Sequence, residues 1–83
     1  MKTIVYTPLA AKQLDALPNE GRLQIESDLE NYAMTGTGDV KKLPGRDGYM
    51  LRVGRYRVIF DEDVTTVLAL TVVKRDSQTY RSH

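Results

Sequence analysis

The feature that most constrains this chain is an alternating stretch split by a tight turn, GYMLRVGRYRVIF, from Gly48 to Phe60. Gly54-Arg55 suits a two-residue type II′ turn, because glycine tolerates the positive φ that the first central position requires. The turn predicts a β-hairpin in which Arg52 lies opposite Arg57. Directly opposed residues share a face of the sheet. The apolar positions then form one face that can receive helices, namely Tyr49, Leu51, Val53, Tyr56, Val58 and Phe60.

The residues after the hairpin predict a further strand, VTTVLALTVV. An odd loop of three residues, 61–63, sets Phe60 opposite Val64, whereas an even loop would bury the smaller set of side chains. We therefore expect the odd loop, which places Arg75 on the same face as Arg52 and Arg57. The core face is then predicted to continue with Val64, Thr66, Leu68, Leu70 and Val72.

The first half of the chain predicts one strand and two helices. KTIVY at residues 2–6 is β-branched and aromatic, which is typical of a strand. Thr7-Pro8 fits a helix start, with threonine as the N-cap and proline at the first helical position. A second apolar stripe runs from Pro18 to Met34, and Gly36 fits its C-terminal cap. The order β-α-α-β-β-β predicts an α+β fold with a helical hairpin packed on one face of a mostly antiparallel four-stranded sheet.

Composition places the chain among small globular proteins. Its 83 residues suit one domain, 1–83, with 41% hydrophobic and 28% charged residues. The absence of cysteine excludes disulfides and thiolate chemistry. No apolar run approaches the roughly 20 residues that span a bilayer, and the N-terminus does not resemble a secretory signal. We therefore expect a cytoplasmic protein without a membrane partner.

Charge is unevenly distributed along the sequence. Residues 1–40 carry three basic and six acidic side chains, whereas residues 41–83 carry nine basic and five acidic ones. A basic half of this kind indicates an anionic partner, although a solvated strand surface explains it equally well. Arginines that lie opposite each other without carboxylates in register favour a ligand, because the guanidinium fork fits phosphate with two hydrogen bonds.

Two stretches carry a resemblance to a known family. LRVGRYRVIF, followed by an acidic turn, a strand and VVKRDSQTYR, resembles the RelE/ParE superfamily of bacterial toxins over nearly the whole chain. The resemblance implies a toxin of a type II toxin–antitoxin pair that cleaves messenger RNA in the ribosomal A site without a metal or another cofactor. The ribose 2′-OH attacks the adjacent phosphorus, which leaves a 2′,3′-cyclic phosphate and a 5′-OH.

The same resemblance implies roles for individual residues. Arg57 matches an arginine that holds the phosphate, Arg75 one that stabilises it and protonates the leaving oxygen, and Tyr80 a tyrosine assigned as general base. Arg52 lies where some members have a lysine that assists the 2′-OH. Further RNA or phosphate contacts are assigned to Arg55, Lys74, Lys41, Lys42 and Arg81. For Lys41 and Lys42, simple solvation of a loop explains the charges equally well. His83 is the final residue, where a disordered end is favoured over a catalytic role.

The implied partners are a cognate antitoxin, the ribosome with its A-site mRNA, and operator DNA only through the antitoxin complex. The sequence departs from the family at Met50, which is lysine in strongly basic members, and by one missing residue between Arg75 and Tyr80. Lys74 stands where many relatives have histidine. Two alternatives stay open: a ParE-like inhibitor of DNA gyrase, and an attenuated toxin that acts mainly in antitoxin binding and operon autoregulation.

Overall fold

The secondary structure follows the alternation and the capping residues of the sequence. The computed structural model describes residues 1–74. The elements are β1 (Thr3–Tyr6), α1 (Pro8–Asp15), α2 (Asn19–Thr35), β2 (Val40–Lys42), β3 (Tyr49–Val53), β4 (Tyr56–Glu62) and β5 (Thr66–Lys74). The predicted α+β class is confirmed. Within residues 1–74 the sheet has five strands rather than the predicted four.

Both helices begin or end at residues that the sequence marks for this purpose. The Thr7 hydroxyl accepts a hydrogen bond from the Ala10 N–H at 3.1 Å, and Pro8 occupies the first helical position. Gly36 ends α2 with a φ of 76°, which glycine adopts without strain. Leu17 lies after the end of α1 and packs against the core. Neither helix described here is long and apolar enough to cross a membrane.

The strand that the sequence analysis missed is β2. The sheet order is β1-β5-β4-β3-β2, with β1 parallel to β5 and the other neighbouring pairs antiparallel. Lys41 and Lys42, for which loop solvation and phosphate contacts were equally compatible with the sequence, therefore belong to an edge strand. A short, lysine-rich edge is a common way to keep a sheet from pairing with another chain.

The β3–β4 hairpin has the predicted register. Val53 pairs with Tyr56, Arg52 with Arg57, and the pairing continues to Tyr49 opposite Phe60. Gly54 has a φ of 58°, and no non-glycine residue within 1–74 has a positive φ. A positive φ at the first central position alone defines the predicted type II′ turn.

The predicted register of β5 is wrong over the first half of the strand. Val67 and Ala69 are fully buried, whereas Leu68 and Leu70 lie half-buried on the other face and Val64 is 89% exposed. The connection is even, since Glu62 pairs with Val67.

A bulge then restores the predicted alternation in the second half of β5. Phe60 pairs with Ala69 but Ile59 pairs with Thr71, so Leu70 is the extra residue. Thr7 holds the bulge, because its hydroxyl donates to the Leu70 carbonyl at 2.9 Å. Val72 is buried, as predicted.

Local hydrogen bonds explain why the connection is even. The Asp63 carboxylate accepts the N–H groups of Thr65 at 2.8 Å and Thr66 at 2.9 Å. These bonds hold the pKa of Asp63 below its ordinary value. Ala10 and Ala69 are both fully buried. Small side chains at these positions let α1 lie close to β5. In the predicted register Leu68 and Leu70 would face the core instead of Ala69, and their larger side chains would prevent this packing.

The core lies between the two helices and one face of the sheet. Phe60 is at its centre, with Tyr49 stacked on it at 5.5 Å and Tyr32 edge-on at 5.4 Å between ring centroids. The predicted apolar face of the hairpin is buried apart from Tyr49, which is half-buried. The fully buried side chains of greatest volume are Phe60, Ile25, Leu29, Leu51, Val53, Val58 and Val67.

A polar cluster fastens the N-terminus to the end of β4. Lys2 Nζ lies 2.7 Å from one carboxylate oxygen of Glu62, and the Tyr32 hydroxyl donates to the other at 2.8 Å. Burial, together with this hydrogen bond to the carboxylate, raises the pKa of Tyr32 to about 12. The Lys2 N–H also donates to the Ala33 carbonyl at 2.9 Å, so the strand is held to α2 as well.

Candidate phosphate-binding site

Arg52 and Arg57 form the centre of the candidate site. They pair across the β3–β4 hairpin, with both side chains on the face of the sheet that the helices do not cover. Residues paired in this way have Cβ atoms about 4.5 to 5.5 Å apart. Both side chains are partly exposed, so the two guanidinium groups emerge together at the surface.

The two arginines are not neutralised by the part of the chain that the structure describes. Among residues 1–74 the one ion pair is between Lys2 and Glu62. The Arg57 Nε is buried and has no hydrogen-bond partner there. A buried N–H without an acceptor is unfavourable. A bound anion would satisfy this N–H and offset the repulsion between the two cations.

Apolar side chains surround the arginine pair. Met50 pairs with Ile59 two residues along the hairpin, and Val73 of β5 lies opposite Arg57. These three side chains are on the same face as the arginines. Their presence lowers the local dielectric and strengthens the attraction between a guanidinium and a phosphate.

The acidic turn lies at the far end of this face. Asp61 shares the face with Arg57 and Ile59 because these positions alternate along β4. It is four residues from Arg57, which corresponds to about 13 Å along the strand. The uncovered face is therefore polarised, with cations at one end and carboxylates at the other.

The remaining predicted contacts are divided between the two faces. Lys41 pairs with Met50 and lies on the arginine face, whereas Lys42 pairs with Tyr49 and lies on the opposite face. Lys74 pairs with Tyr56 and also lies on the helix side. Arg55 is exposed in the turn, at the boundary between the two faces. The other predicted site residues, Arg75, Tyr80 and Arg81, lie outside the described residues.

Several solved structures share this architecture. The isolated RelE toxin of E. coli superposes with a TM-score of 0.79 over 98% of this chain and 93% of that chain, at 20% sequence identity. A chain of the RelBE2 toxin–antitoxin complex from Mycobacterium tuberculosis gives 0.70 over 89% and 98%, at 25% identity. A chain of the RelB–RelE complex from Methanococcus jannaschii gives 0.73 over 95% and 99%, at 23% identity. The chain has the RelE fold.

The predicted resemblance is thereby confirmed at the level of the fold. The sequence matches no protein-family model, and no curated protein sequence matches it significantly. The likeness therefore lies in the fold, at 20 to 25% sequence identity.

One feature of the site in this RelE fold was missed by the sequence analysis. Lys41 is a direct cross-strand neighbour of Met50, so a lysine ammonium group can reach the arginine face from β2. The sequence carries little signal for this strand, because the adjacent residues Lys41 and Lys42 do not alternate between apolar and polar. Because strand β2 has three residues and ends at a glycine-containing connection, periodicity alone did not separate it from a loop.

Proposed function

We propose that this chain is the toxin of a type II toxin–antitoxin pair and that it cleaves messenger RNA on the ribosome. The observation that carries the proposal is the Arg52–Arg57 pair, without carboxylate partners in residues 1–74, on the uncovered face of a RelE fold. A structural protein gains nothing from placing like charges opposite each other in a hairpin. A phosphate ligand, in contrast, can accept hydrogen bonds from both guanidinium groups.

In the proposed reaction, the ribose 2′-OH attacks the adjacent phosphorus and the bond to the 5′ oxygen of the next nucleotide breaks. Charge develops on the equatorial phosphate oxygens, where the Arg57 guanidinium donates hydrogen bonds. Arg52 lies next to it and stabilises the oxygen of the attacking ribose. The products are a 2′,3′-cyclic phosphate and a 5′-OH.

Two proton transfers complete the proposed reaction. Tyr80 accepts the proton of the 2′-OH, and Arg75 gives a proton to the leaving 5′ oxygen. A tyrosine next to several guanidinium groups has a lowered pKa, because nearby cations favour the phenolate. These two roles are inferred from the resemblance of VVKRDSQTYR to the toxin family.

Lys41 provides a further cation in this proposal. Its position opposite Met50 places it one strand away from the hairpin and on the same face. An ammonium group there would contact the RNA backbone beside the scissile phosphate. Lys41 would thus take over a phosphate contact that Met50 itself cannot make.

The proposed protein partner is an acidic antitoxin. The Methanococcus jannaschii and Mycobacterium tuberculosis structures are of antitoxin–toxin complexes, which supports a cognate antitoxin for this chain. An acidic partner would be attracted to the basic second half of the chain. In this proposal the toxin acts in the cytoplasm, where ribosomes translate, and meets operator DNA only through the antitoxin complex.

Induced expression followed by primer extension on cellular mRNA tests the proposed reaction. We expect cuts inside translated frames, and fragments with a 2′,3′-cyclic phosphate at one new end and a 5′-OH at the other. Transcripts whose start codon has been removed serve as the control, because they carry the same RNA sequence but are not translated. Intact mRNA together with blocked DNA supercoiling would instead support gyrase as the target.

A further inference from the structure

A polar cleft lies beside the β3–β4 turn, on the side of the sheet that faces the helices. It has a volume of about 370 Å³ and separates the first turn of α2 from the β3–β4 turn. Its lining includes Glu20, Gly21, Gln24, Arg55 and Tyr56. None of them belongs to the Arg52–Arg57 pair, which emerges on the opposite face of the sheet.

The α2 helix begins at this cleft without a side-chain cap. Pro18 precedes the helix, and no side chain caps the first backbone N–H groups. The first N–H bonded inside the helix is that of Arg22, which donates to the Pro18 carbonyl at 3.0 Å. The N–H groups of residues 19–21 therefore have no acceptor within this 17-residue helix, whose N-terminus carries a partial positive charge.

Tyr56 gives an independent indication of a ligand. The residue is 8% exposed and lines the cleft, yet its hydroxyl has no hydrogen-bond partner among residues 1–74. The hydroxyl lies against Gly21, where an added Cβ would come within 2.7 Å of it. Packing alone is served by a phenylalanine ring. The O–H at the end of this largely buried side chain, beside the uncapped N–H groups of α2, supplies a further donor to the same space.

The charged side chains around the cleft favour an anion. Arg55 is exposed in the turn, and Lys74 lies on the same face as Tyr56 because the two residues pair across β4 and β5. Neither has an ion-pair partner among residues 1–74. Glu20 is the opposing charge, and its exposed side chain is free to turn toward solvent. Gln24 contributes a neutral amide.

We propose that this cleft is a second phosphate-binding subsite, which holds a backbone phosphate of RNA through the Tyr56 hydroxyl, the first N–H groups of α2 and the Arg55 guanidinium. Hydrogen-bond donors and a helix N-terminus directed at one point are the usual elements of a phosphate site. The assignment of RNA as the molecule that supplies the phosphate rests on the proposed function. The inference that the cleft binds a phosphate group does not depend on that function.

Nuclear magnetic resonance of the ¹⁵N-labelled full chain tests this subsite. One sample is titrated with inorganic phosphate and another with a short single-stranded RNA whose 2′-O-methyl groups prevent cleavage, at constant ionic strength set with chloride. We expect the amide signals of Glu20 and Gly21 to shift saturably with both ligands, and the RNA to bind more tightly. Shifts confined to the Arg52–Arg57 hairpin would overturn the proposal.

Two variants give the test its specificity. Tyr56→Phe should weaken phosphate binding about tenfold, because one hydrogen bond to a charged acceptor is lost. The matched control is Tyr49→Phe, since Tyr49 is a half-buried ring stacked on the core residue Phe60 and lies away from the cleft. Glu20→Gln, at an exposed position, should tighten binding several-fold. Equal binding in Tyr56→Phe and Tyr49→Phe would refute the role of the hydroxyl.

The two RNA proposals fail separately. Saturable shifts with inorganic phosphate but none with RNA would overturn the assignment of RNA as the ligand. Cleavage of translated mRNA without any shift at Glu20 and Gly21 would overturn the subsite and leave the proposed reaction intact. Shifts at both residues without mRNA cleavage would support the subsite and contradict the proposed function.

Discussion

The two ends of β4 differ in whether nearby basic side chains have a carboxylate partner. At the Glu62 end, Lys2 and Tyr32 each contact one oxygen of the same carboxylate, at 2.7 and 2.8 Å. At the other end, Arg57 faces Arg52, and no carboxylate of residues 1–74 pairs with either. A cation that serves the fold has an acid within reach, whereas the pair left without one is available to a ligand. The comparison thus separates a charge that stabilises the fold from a pair that we propose to bind a ligand.

The largest expected effect is at the arginine end and concerns activity. Arg57→Ala should lower the rate of mRNA cleavage by about 10² to 10³-fold, because one preorganised donor to a developing anion is worth about that much. Single-turnover cleavage on programmed ribosomes measures it. Arg46→Ala is the matched control. Arg46 is exposed in the loop before β3 and belongs neither to the Arg52–Arg57 pair nor to the cleft at the start of α2. Equal loss in both variants would mean that bulk charge, not the pair, supports cleavage.

The next effect is at the Glu62 end and concerns stability. Glu62→Ala should lower the free energy of unfolding by about 2 kcal/mol, because the Tyr32 hydroxyl and the Lys2 ammonium both lose their partner. Urea unfolding monitored by circular dichroism measures the change. Asp61→Ala, on the exposed neighbouring residue, should change it by about 0.5 kcal/mol or less. Similar losses in the two variants would contradict the assignment of Glu62 as the residue that fastens the N-terminus.

A smaller effect of opposite sign is expected when the arginine pair is broken. Arg52→Gln should raise the free energy of unfolding by about 0.5 kcal/mol, since like charges directly opposite each other destabilise a strand pair. The gain should shrink between about 0.05 M and 1 M salt, because exposed charges are screened. Arg46→Gln controls for the loss of one positive charge. A destabilised Arg52→Gln would show that the pair contributes to the fold.

The sequence predicted the hairpin in detail because its signals are local. Gly54 sets the turn, the turn sets the register, and alternation then assigns every side chain of β3 and β4 to a face. The same reasoning failed for β5. The four-residue connection depends on hydrogen bonds of the Asp63 side chain, and the bulge at Leu70 depends on contact with Thr7. The Asp63 bonds are local but do not follow hydrophobic alternation, and the Thr7–Leu70 contact joins residues far apart in the sequence, so neither leaves a periodic signal.

The site was predictable to a similar degree. The Arg52–Arg57 pairing followed from the hairpin register and is confirmed. The position of Lys41 on the same face was not predicted, because it requires β2 to pair with β3 in a given register. Tyr56 was correctly assigned to the core. That its hydroxyl has no partner among residues 1–74 follows only from the tertiary structure, in which the start of α2 lies against it. Charge and periodicity predict which residues share a face, and tertiary contacts decide which polar atoms lack partners.

The smallest effect concerns pH and returns to the Glu62 end. Tyr32 must stay protonated to donate to Glu62, and its pKa is raised to about 12 from an ordinary value of 10.0. A raised pKa in the folded state means that the stabilisation is complete below about pH 10 and is lost as the pH rises through about 12. The unfolding free energy of the wild type should therefore fall between these values. Tyr32→Phe should flatten this fall. Tyr49→Phe should not, because the neighbouring hydroxyl that it removes has no carboxylate partner among residues 1–74. Identical slopes in the wild type and Tyr32→Phe would mean that other groups govern alkaline unfolding, among them Tyr6, whose pKa is raised by burial and by Glu26 and Glu30.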